Sequence, residues 1–336
     1  MQLADFEYDL PDELIAQEAL EDRAASRMLV VYREEGRWED RQFRELPSFL
    51  RAGDCLVLND SKVFPARLYG HRASATGRVE VLLLRSLPGD GREWQALVRP
   101  GRKLRTGHRI EFEGGLQAQV LAHGEFGERT IRFLGDDDLW AAFERIGHVP
   151  LPPYIKRADE QADRERYQTV FARDKGSVAA PTAGLHFTAE ILDACRRAGA
   201  EIAYVTLHVG LGTFQPLHQE QIESAKLHSE RYRIPPETKE AIRRAQRVVA
   251  VGTTAVRTLE TEARTGQSEG ETDIFLYPGA EFQTTGAMLT NFHLPGTSLL
   301  LLVCAFAGKE LALNAYRHAV AERYRFYSYG DCMLIV

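Results

Sequence analysis

A chain of 336 residues exceeds one ordinary hydrophobic core, so about two domains are expected. Its 44% apolar and 27% charged residues exclude disordered, collagen-like and coiled-coil classes. The net charge of −6 gives no global pull towards nucleic acid, so where the basic residues cluster matters more than their number. Of the 42 basic residues 35 are arginine, whose planar fork suits phosphate, although genomic base composition produces the same bias.

The amino-terminal Met1-Gln2-Leu3-Ala4-Asp5-Phe6-Glu7 is acidic and lacks the basic-then-apolar order of a secretory leader. Short apolar runs at Met28–Tyr32 and Cys55–Asn59 have strand length, and Phe43, Leu46, Phe49 and Leu50 recur between them at helical spacing. From about Ala66 to Leu134 short strands follow one another with glycine-rich breaks and no helical period. That texture predicts a small antiparallel β-barrel. Asp136 to Asp138 are placed to start a helix, and Pro150 to Pro153 form a rigid connector. From Ala179 onward strands and helices alternate. Thr188 is a cap for a helix reaching Arg197, Glu201–Leu207, Val248–Gly252 and Asp273–Tyr277 are strands, two helices run from about Ser298 to Tyr324, and Cys332–Val336 is a last strand.

The expected fold class is therefore α/β, a layered main domain (1–65 and 150–336) carrying an inserted β-barrel domain (66–149). The most apolar stretch, Leu299 to Ala307, falls well short of the ~20 residues that span a bilayer. Four dispersed cysteines (Cys55, Cys195, Cys304, Cys332) show neither disulfide nor zinc spacing. A cytoplasmic protein without a metal or a membrane partner is expected. No long apolar heptad is legible, which points to a monomer.

Unusual polar residues gather at the ends of the predicted strands of the α/β part, where ligands of such sheets sit. Ala180 to Thr188 brings His186 to a helix start; it is a capped loop or an anion cradle. Leu207 to Phe214 carries His208, Gly210, Gly212, Thr213 and Phe214 directly after a strand; it is a turn or a close backbone approach to a ligand, and not a dinucleotide fingerprint. His228-Ser229-Glu230-Arg231-Tyr232 has the look of a solvated face. Gly252 to Arg257 reads as a helix start with Thr253 and Thr254 at the cap position, and Thr290 to Ser298 repeats strand, turn and helix start with Asn291 and His293. The densest basic run is Arg99, Arg102, Lys103 and Arg105, extended by His108 and Arg109. Arg323-Tyr324-Arg325-Phe326-Tyr327 interleaves arginine with aromatic rings, to stack bases or to pack a helix end.

The Ala180–Thr188, Val205–Phe214 and Thr290–Pro295 motifs, with Leu58–Val63 and Arg323–Asp331, resemble the S-adenosylmethionine:tRNA ribosyltransferase-isomerases of queuosine synthesis. The resemblance runs from Asp5 to the last strand and is weakest between about Arg72 and Asp138. It implies an α/β domain with a small barrel. It also implies transfer and isomerisation of the ribosyl group of S-adenosylmethionine, a co-substrate, onto 7-aminomethyl-7-deazaguanine at the wobble position of tRNA. Epoxyqueuosine-tRNA, adenine and methionine would result. A non-catalytic RNA-binding protein and an S-adenosylmethionine-dependent RNA methyltransferase are the alternatives.

That chemistry needs a base near the acidified ribose C5′, a donor for departing adenine, and a site that holds the opened sugar against water. His186, His208 and Glu230 are the candidate bases, and His293 the candidate donor. Thr253, Thr254 and Asn291 are expected to hold ribose hydroxyls or the methionine end, with the Gly210–Thr213 backbone close by. Phe187 and Phe214 are expected to offer a π face to the sulfonium, and Arg257 to pair with the methionine carboxylate. Arg99, Arg102, Lys103, Arg105, Arg323 and Arg325 are expected to meet tRNA phosphates.

Overall fold

The computed structural model describes residues 2–73, 75–124, 127–135, 138–210, 217 and 226–336, with only the main chain of Lys103 described. In chain order the elements are β1 (Arg27–Tyr32), β2 (Arg37–Gln42), β3 (Asp54–Asn59) and β4 (Ser61–Val63), then β5 (Arg67–Arg72), β6 (Arg78–Ser86), β7 (Glu93–Arg99), β8 (Arg109–Phe112), β9 (Gln117–His123) and β10 (Glu128–Leu134). Next come α1 (Leu139–Ile146), α2 (Asp163–Arg166), β11 (Asp174–Ser177), α3 (Ala189–Arg197), β12 (Glu201–Leu207) and β13 (Lys226–Arg233). The last part holds α4 (Pro236–Arg244), β14 (Arg247–Val251), α5 (Thr253–Thr265), β15 (Glu269–Ile274), β16 (Ala287–Asn291), α6 (Ser298–Ala307), α7 (Lys309–Ala321) and β17 (Cys332–Ile335).

Among the described residues one nine-stranded mixed sheet runs in the order β15-β13-β12-β3-β14-β16-β17-β1-β2. Strands β12, β3, β14 and β16 are mutually parallel, so their carboxyl ends open on one edge. The apolar runs are explained by burial on both faces. Val57, Val205, Ala250 and Met288 point into a core built with α5, α6 and α7. Leu56, Leu58, Val251 and Leu289 point the other way, against α3, Phe43 and Leu46. Alternate residues of one strand thus serve two cores.

Strands β5 to β10 close a six-stranded antiparallel barrel, in the order β10-β7-β6-β5-β8-β9. Its interior is packed solid with Val81, Leu83, Trp94, Ala96, Ile110, Val120, Ile131 and Phe133, and α1 seals one end through Phe143. The Asp138 carboxylate caps α1 by accepting from the Trp140 and Ala141 amides, as the acidic run predicts. Thr188 caps α3 in the same way, accepting from Ile191 N.

Several expectations shift. The Phe43–Phe49 segment is a 3-10 helix, with Pro47 inside it, rather than a full α-helix. Strand β15 lies at Glu269–Ile274, a few residues before the apolar Asp273–Tyr277 run. That strand pairs through its main chain with β13 at the sheet edge, so apolarity did not mark it. All four cysteines are free and buried. No single described helix is long and apolar enough to cross a membrane; apolar α6 is a core helix, bent 116° from α7.

Candidate active site

Gly252 directly follows β14 with φ 88°, a left-handed conformation open to glycine at little cost, and turns the chain straight into α5. This corrects the expected capping. Gly252 occupies the cap position, while Thr253 and Thr254 fall inside the first turn with no capping duty. Their side chains line a cleft at the carboxyl ends of β14 and β16, shared with the Ala180–Ala183 loop, Val209, Asn291, His293, Tyr154, Tyr327 and Ser328.

Two buried asparagines organise this edge. Asn59, at the end of β3, donates to Leu207 O at 3.0 Å and Thr254 Oγ1 at 3.2 Å, and its Oδ1 accepts from Ser61 N and Leu207 N. It ties β3 and β12 to α5. Asn291, at the end of β16, donates through Nδ2 to Tyr327 O at 3.0 Å and Asp331 O at 3.4 Å. Carbonyls only accept, so these contacts fix the amide with its nitrogen towards them. Asn291 Oδ1 is then a buried acceptor with no partner among the described residues, on a side chain that lines the cleft. A buried polar atom left unmet costs roughly 1–3 kcal/mol, so this oxygen is poised for a donor brought by a ligand.

His186 lies behind that amide. Its Nε2 meets Asn291 Nδ2 at 3.3 Å and its Nδ1 meets Ser26 Oγ at 2.9 Å. Burial, opposed by the Asn291 contact and aided by the charges of Arg23 and Arg325, takes its pKa down to about 4. A neutral ring with both nitrogens engaged positions Asn291 rather than facing the cleft. His293 does line the cleft. Its Nε2 pairs with Thr290 Oγ1 at 2.8 Å, and burial pushes it down to about 3, so it too is neutral near pH 7. Tyr8 fixes the same loop by donating to His293 O.

The remaining candidates stand one step away. His208 faces Asp174, with Nε2 to Oδ1 at 3.4 Å, and burial lowers its pKa against the opposing carboxylate. Glu230 and Tyr232 correct the expected solvated face: on β13 they alternate inward and are buried. Glu230 accepts from Gly210 N at 2.8 Å and forms a buried ion pair with Arg257 Nη1. Arg257 Nη1 is therefore already paired with a carboxylate, while its Nη2 is buried with no partner among the described residues. Gly210 is held by that carboxylate, while Gly212, Thr213 and Phe214 lie outside the described residues.

Phe187 is a second correction. Its ring is fully buried, edge-on to Phe43 at 5.0 Å and near Phe171, in the core beneath α3. It has no face to offer a sulfonium. Replacing Phe187 by alanine should cost ~3–5 kcal/mol of stability. Leucine there should leave the KM for S-adenosylmethionine within about twofold, and steady-state kinetics on the folded variant checks it; a KM raised tenfold would restore a ligand role.

The basic candidates separate as well. Arg99, Arg102 and Arg105 are exposed at the end of β7 and in the turn after it, and form no ion pair among the described residues; the Lys103 side chain lies outside them. Arg323 is exposed, with φ 54°. Tyr324 and Phe326 are fully buried, Tyr324 against Phe292 with its hydroxyl on Asp40, so they pack a helix end and stack no bases. Arg325 is half-buried, donating to Glu18 O.

Sequence reasoning missed Tyr154, Tyr327 and Ser328 as cleft residues and Asp174 as the partner of His208. It also missed Asp60, which accepts from Thr206 Oγ1 at 2.7 Å and Arg173 at 3.0 Å. Asp60, inside the Leu58–Val63 motif, and Tyr327 and Ser328, inside the Arg323–Asp331 motif, carried a signal; Tyr154 and Asp174 carried none. Among the described residues no group of three or more His, Cys, Asp or Glu side chains could hold a metal ion.

The queuosine biosynthesis protein family matches residues 3–335. A protein from Solibacter usitatus (strain Ellin6076), described as an S-adenosylmethionine:tRNA ribosyltransferase-isomerase, is 71% identical over the full length of both chains. One of the same description from Symbiobacterium thermophilum is 52% identical, again over both full lengths. The crystal structure of an S-adenosylmethionine tRNA ribosyltransferase from Thermotoga maritima is similar at a TM-score of 0.57 and 40% identity, across 99% of this chain and 100% of that one.

Proposed function

The chain belongs to the queuosine biosynthesis family of S-adenosylmethionine:tRNA ribosyltransferase-isomerases, and on that premise we propose that it works in the cleft between Gly252, Asn291 and Tyr327. It is an enzyme whose substrates are S-adenosylmethionine and tRNA. The acceptor is 7-aminomethyl-7-deazaguanine at the wobble position, and the products are epoxyqueuosine-tRNA, adenine and methionine. The observation that supports the siting is that Thr253, Thr254, Asn291 and His293 line one cleft, and that Asn291 Oδ1 has no partner among the described residues.

In this scheme Asn291 Oδ1 accepts from a ribose hydroxyl or from the neutral incoming amine. His186 and Ser26 hold the amide behind it, while Thr253 and Thr254 supply hydroxyls on the other wall. His293 lines the cleft as an uncharged imidazole; its ring can donate a hydrogen bond to departing adenine without adding charge beside the sulfonium, and any proton it takes from the sugar makes it a cation that must pass that proton on to adenine. Glu230, locked between Arg257 and the Gly210 amide, shapes the backbone after β12 rather than abstracting a proton. Loop and strand ends that exclude water keep the opened sugar oriented, worth up to ~7–11 kcal/mol of barrier in well-aligned cases.

One incubation tests this. S-adenosylmethionine and tRNA carrying the aminomethyl-deazaguanine base are supplied, nucleosides are weighed after digestion, and free adenine and methionine are followed. Epoxyqueuosine with equal adenine and methionine supports the assignment; a methylated nucleoside with S-adenosylhomocysteine overturns it. We also take the enzyme to be a metal-free cytoplasmic monomer of two domains, 1–65 with 150–336 and 66–149, with activity that survives a chelator.

The exposed Arg99, Arg102 and Arg105 make the barrel end a phosphate-binding surface. If all three neutralise phosphates, replacing them by glutamine should lower the slope of log affinity for tRNA against log salt by about 0.9 per phosphate. Filter binding at four salt concentrations reads it. An unchanged slope would move the RNA surface off the barrel.

A further inference from the structure

Three guanidiniums next to the cleft lack carboxylate partners. Arg23 donates to Gln168 O at 2.9 Å, Leu185 O at 3.2 Å and Glu165 O at 2.8 Å. Arg166 donates to Leu20 O, and Arg325 to Glu18 O. All three are half-buried, and none forms an ion pair within 4 Å among the described residues. Glu18 and Glu165 nearby are exposed and pair with none of them. Neighbours on the same stretch behave differently: Arg157 grips Asp163, with Nη1 to Oδ2 at 2.6 Å, and Arg164 reaches Glu144 at 3.8 Å.

A half-buried guanidinium satisfied only by carbonyls keeps its full charge in a medium that solvates it poorly. Here the charges are also mutual neighbours. Arg166 lowers the pKa of Arg23, after burial and against Glu165; burial lowers that of Arg325 against Asp331 and Glu18; and both Arg23 and Arg325 bear on His186 through space. Arg325 Nη1 is moreover buried with no partner among the described residues. The position is specific. Arg325 lies two residues before Tyr327 in the cleft wall, and Arg23 holds the carbonyl of Leu185, two residues after Ala183 in the opposite wall.

We propose that Arg23, Arg166 and Arg325 form a second RNA contact, binding a backbone phosphate of the tRNA beside the nucleotide that enters the cleft. This rests on the tRNA substrate assigned above. A phosphate supplies a counter-charge in direct contact, which the carboxylates Glu165, Asp331 and Glu18 exert only through space, and guanidinium forks bind its oxygens bidentately as lysine cannot. The barrel arginines would then hold the tRNA body, while this cluster sets the register of the reacting nucleotide.

The test uses the whole enzyme and an anticodon stem-loop of the same sequence as the substrate tRNA. Arg166→Gln and Arg325→Gln should each weaken stem-loop binding, lower its salt slope by up to about one, and leave the KM for S-adenosylmethionine within about twofold. Unchanged slopes in folded variants would overturn the proposal. Because these arginines also hold main-chain carbonyls, wild-type protein gives an independent readout. Phenylglyoxal should modify Arg166 and Arg325 in free enzyme, and stem-loop should protect both. Equal modification with and without RNA sinks the idea. Inactive wild-type enzyme would instead strike at the assigned reaction, and the two failures are thus distinguishable.

Discussion

His293→Ala is expected to lower kcat by roughly 10²- to 10⁴-fold, the usual span for losing a proton-transfer group, while the protein stays folded. Among the described residues it is the imidazole that lines the cleft. Among the described residues its side chain makes one hydrogen bond, to Thr290, and the loop is held independently by main-chain contacts to Tyr8 and Tyr316. Truncation should therefore remove chemistry with little architecture. Rapid-quench measurement of adenine release on enzyme saturated with both substrates reads the step directly. Because burial holds this pKa near 3, the acid limb of kcat/KM should fall well below the ordinary histidine value of 6.5. Wild-type rates in the alanine variant would hand proton transfer to His208 or Glu230.

Acid should destabilise the enzyme early and steeply. In the unfolded chain His186 and His293 bind protons from about pH 6.5 downward, but folded they resist protonation until about pH 4 and 3. The unfolded state thus takes up more protons. Stability present above the unfolded value is lost as pH falls towards the folded ones. Between about pH 7 and pH 5 each buried ring should cost on the order of 2 kcal/mol. Carboxylates held low by their partners, such as Asp163 and Glu260, have unfolded values of 3.8 and 4.5, so their share is lost mainly below that window. Urea unfolding at the two pH values measures the drop, and His293→Gln should remove about half. A midpoint that stays constant over the window would mean the two rings protonate without unfolding.

The two buried histidines also show how far a linear reading reaches. His186 and His293 both stand out as histidines at strand ends, and both were expected to act on substrate. The fold gives them different positions: His293 lines the cleft, while His186 sits behind Asn291 with both nitrogens occupied. Spacing along the chain carries no information about depth. Phe187 likewise sits one residue from His186 but turns into the core against Phe43.

What the sequence determined by itself was whatever local pattern governs. Period-two and all-apolar runs marked most strands, including five of the six that close the barrel but not β5; capping residues placed α1 and α3, and long ordered motifs identified the family. The rest depends on contacts between distant segments. Glu230 meets Arg257 across 27 residues, Asn291 meets His186 across 105, and Arg325 meets Glu18 across 307. Whether a charged side chain is a solvated face, a buried ion pair or an unmatched cation depends on which partner arrives. Sheet order brings that partner, placing β17 between β16 and β1 and β3 between β12 and β14. No stretch of the chain records that order, because main-chain pairing is available to every strand and only joint burial of both faces selects one arrangement.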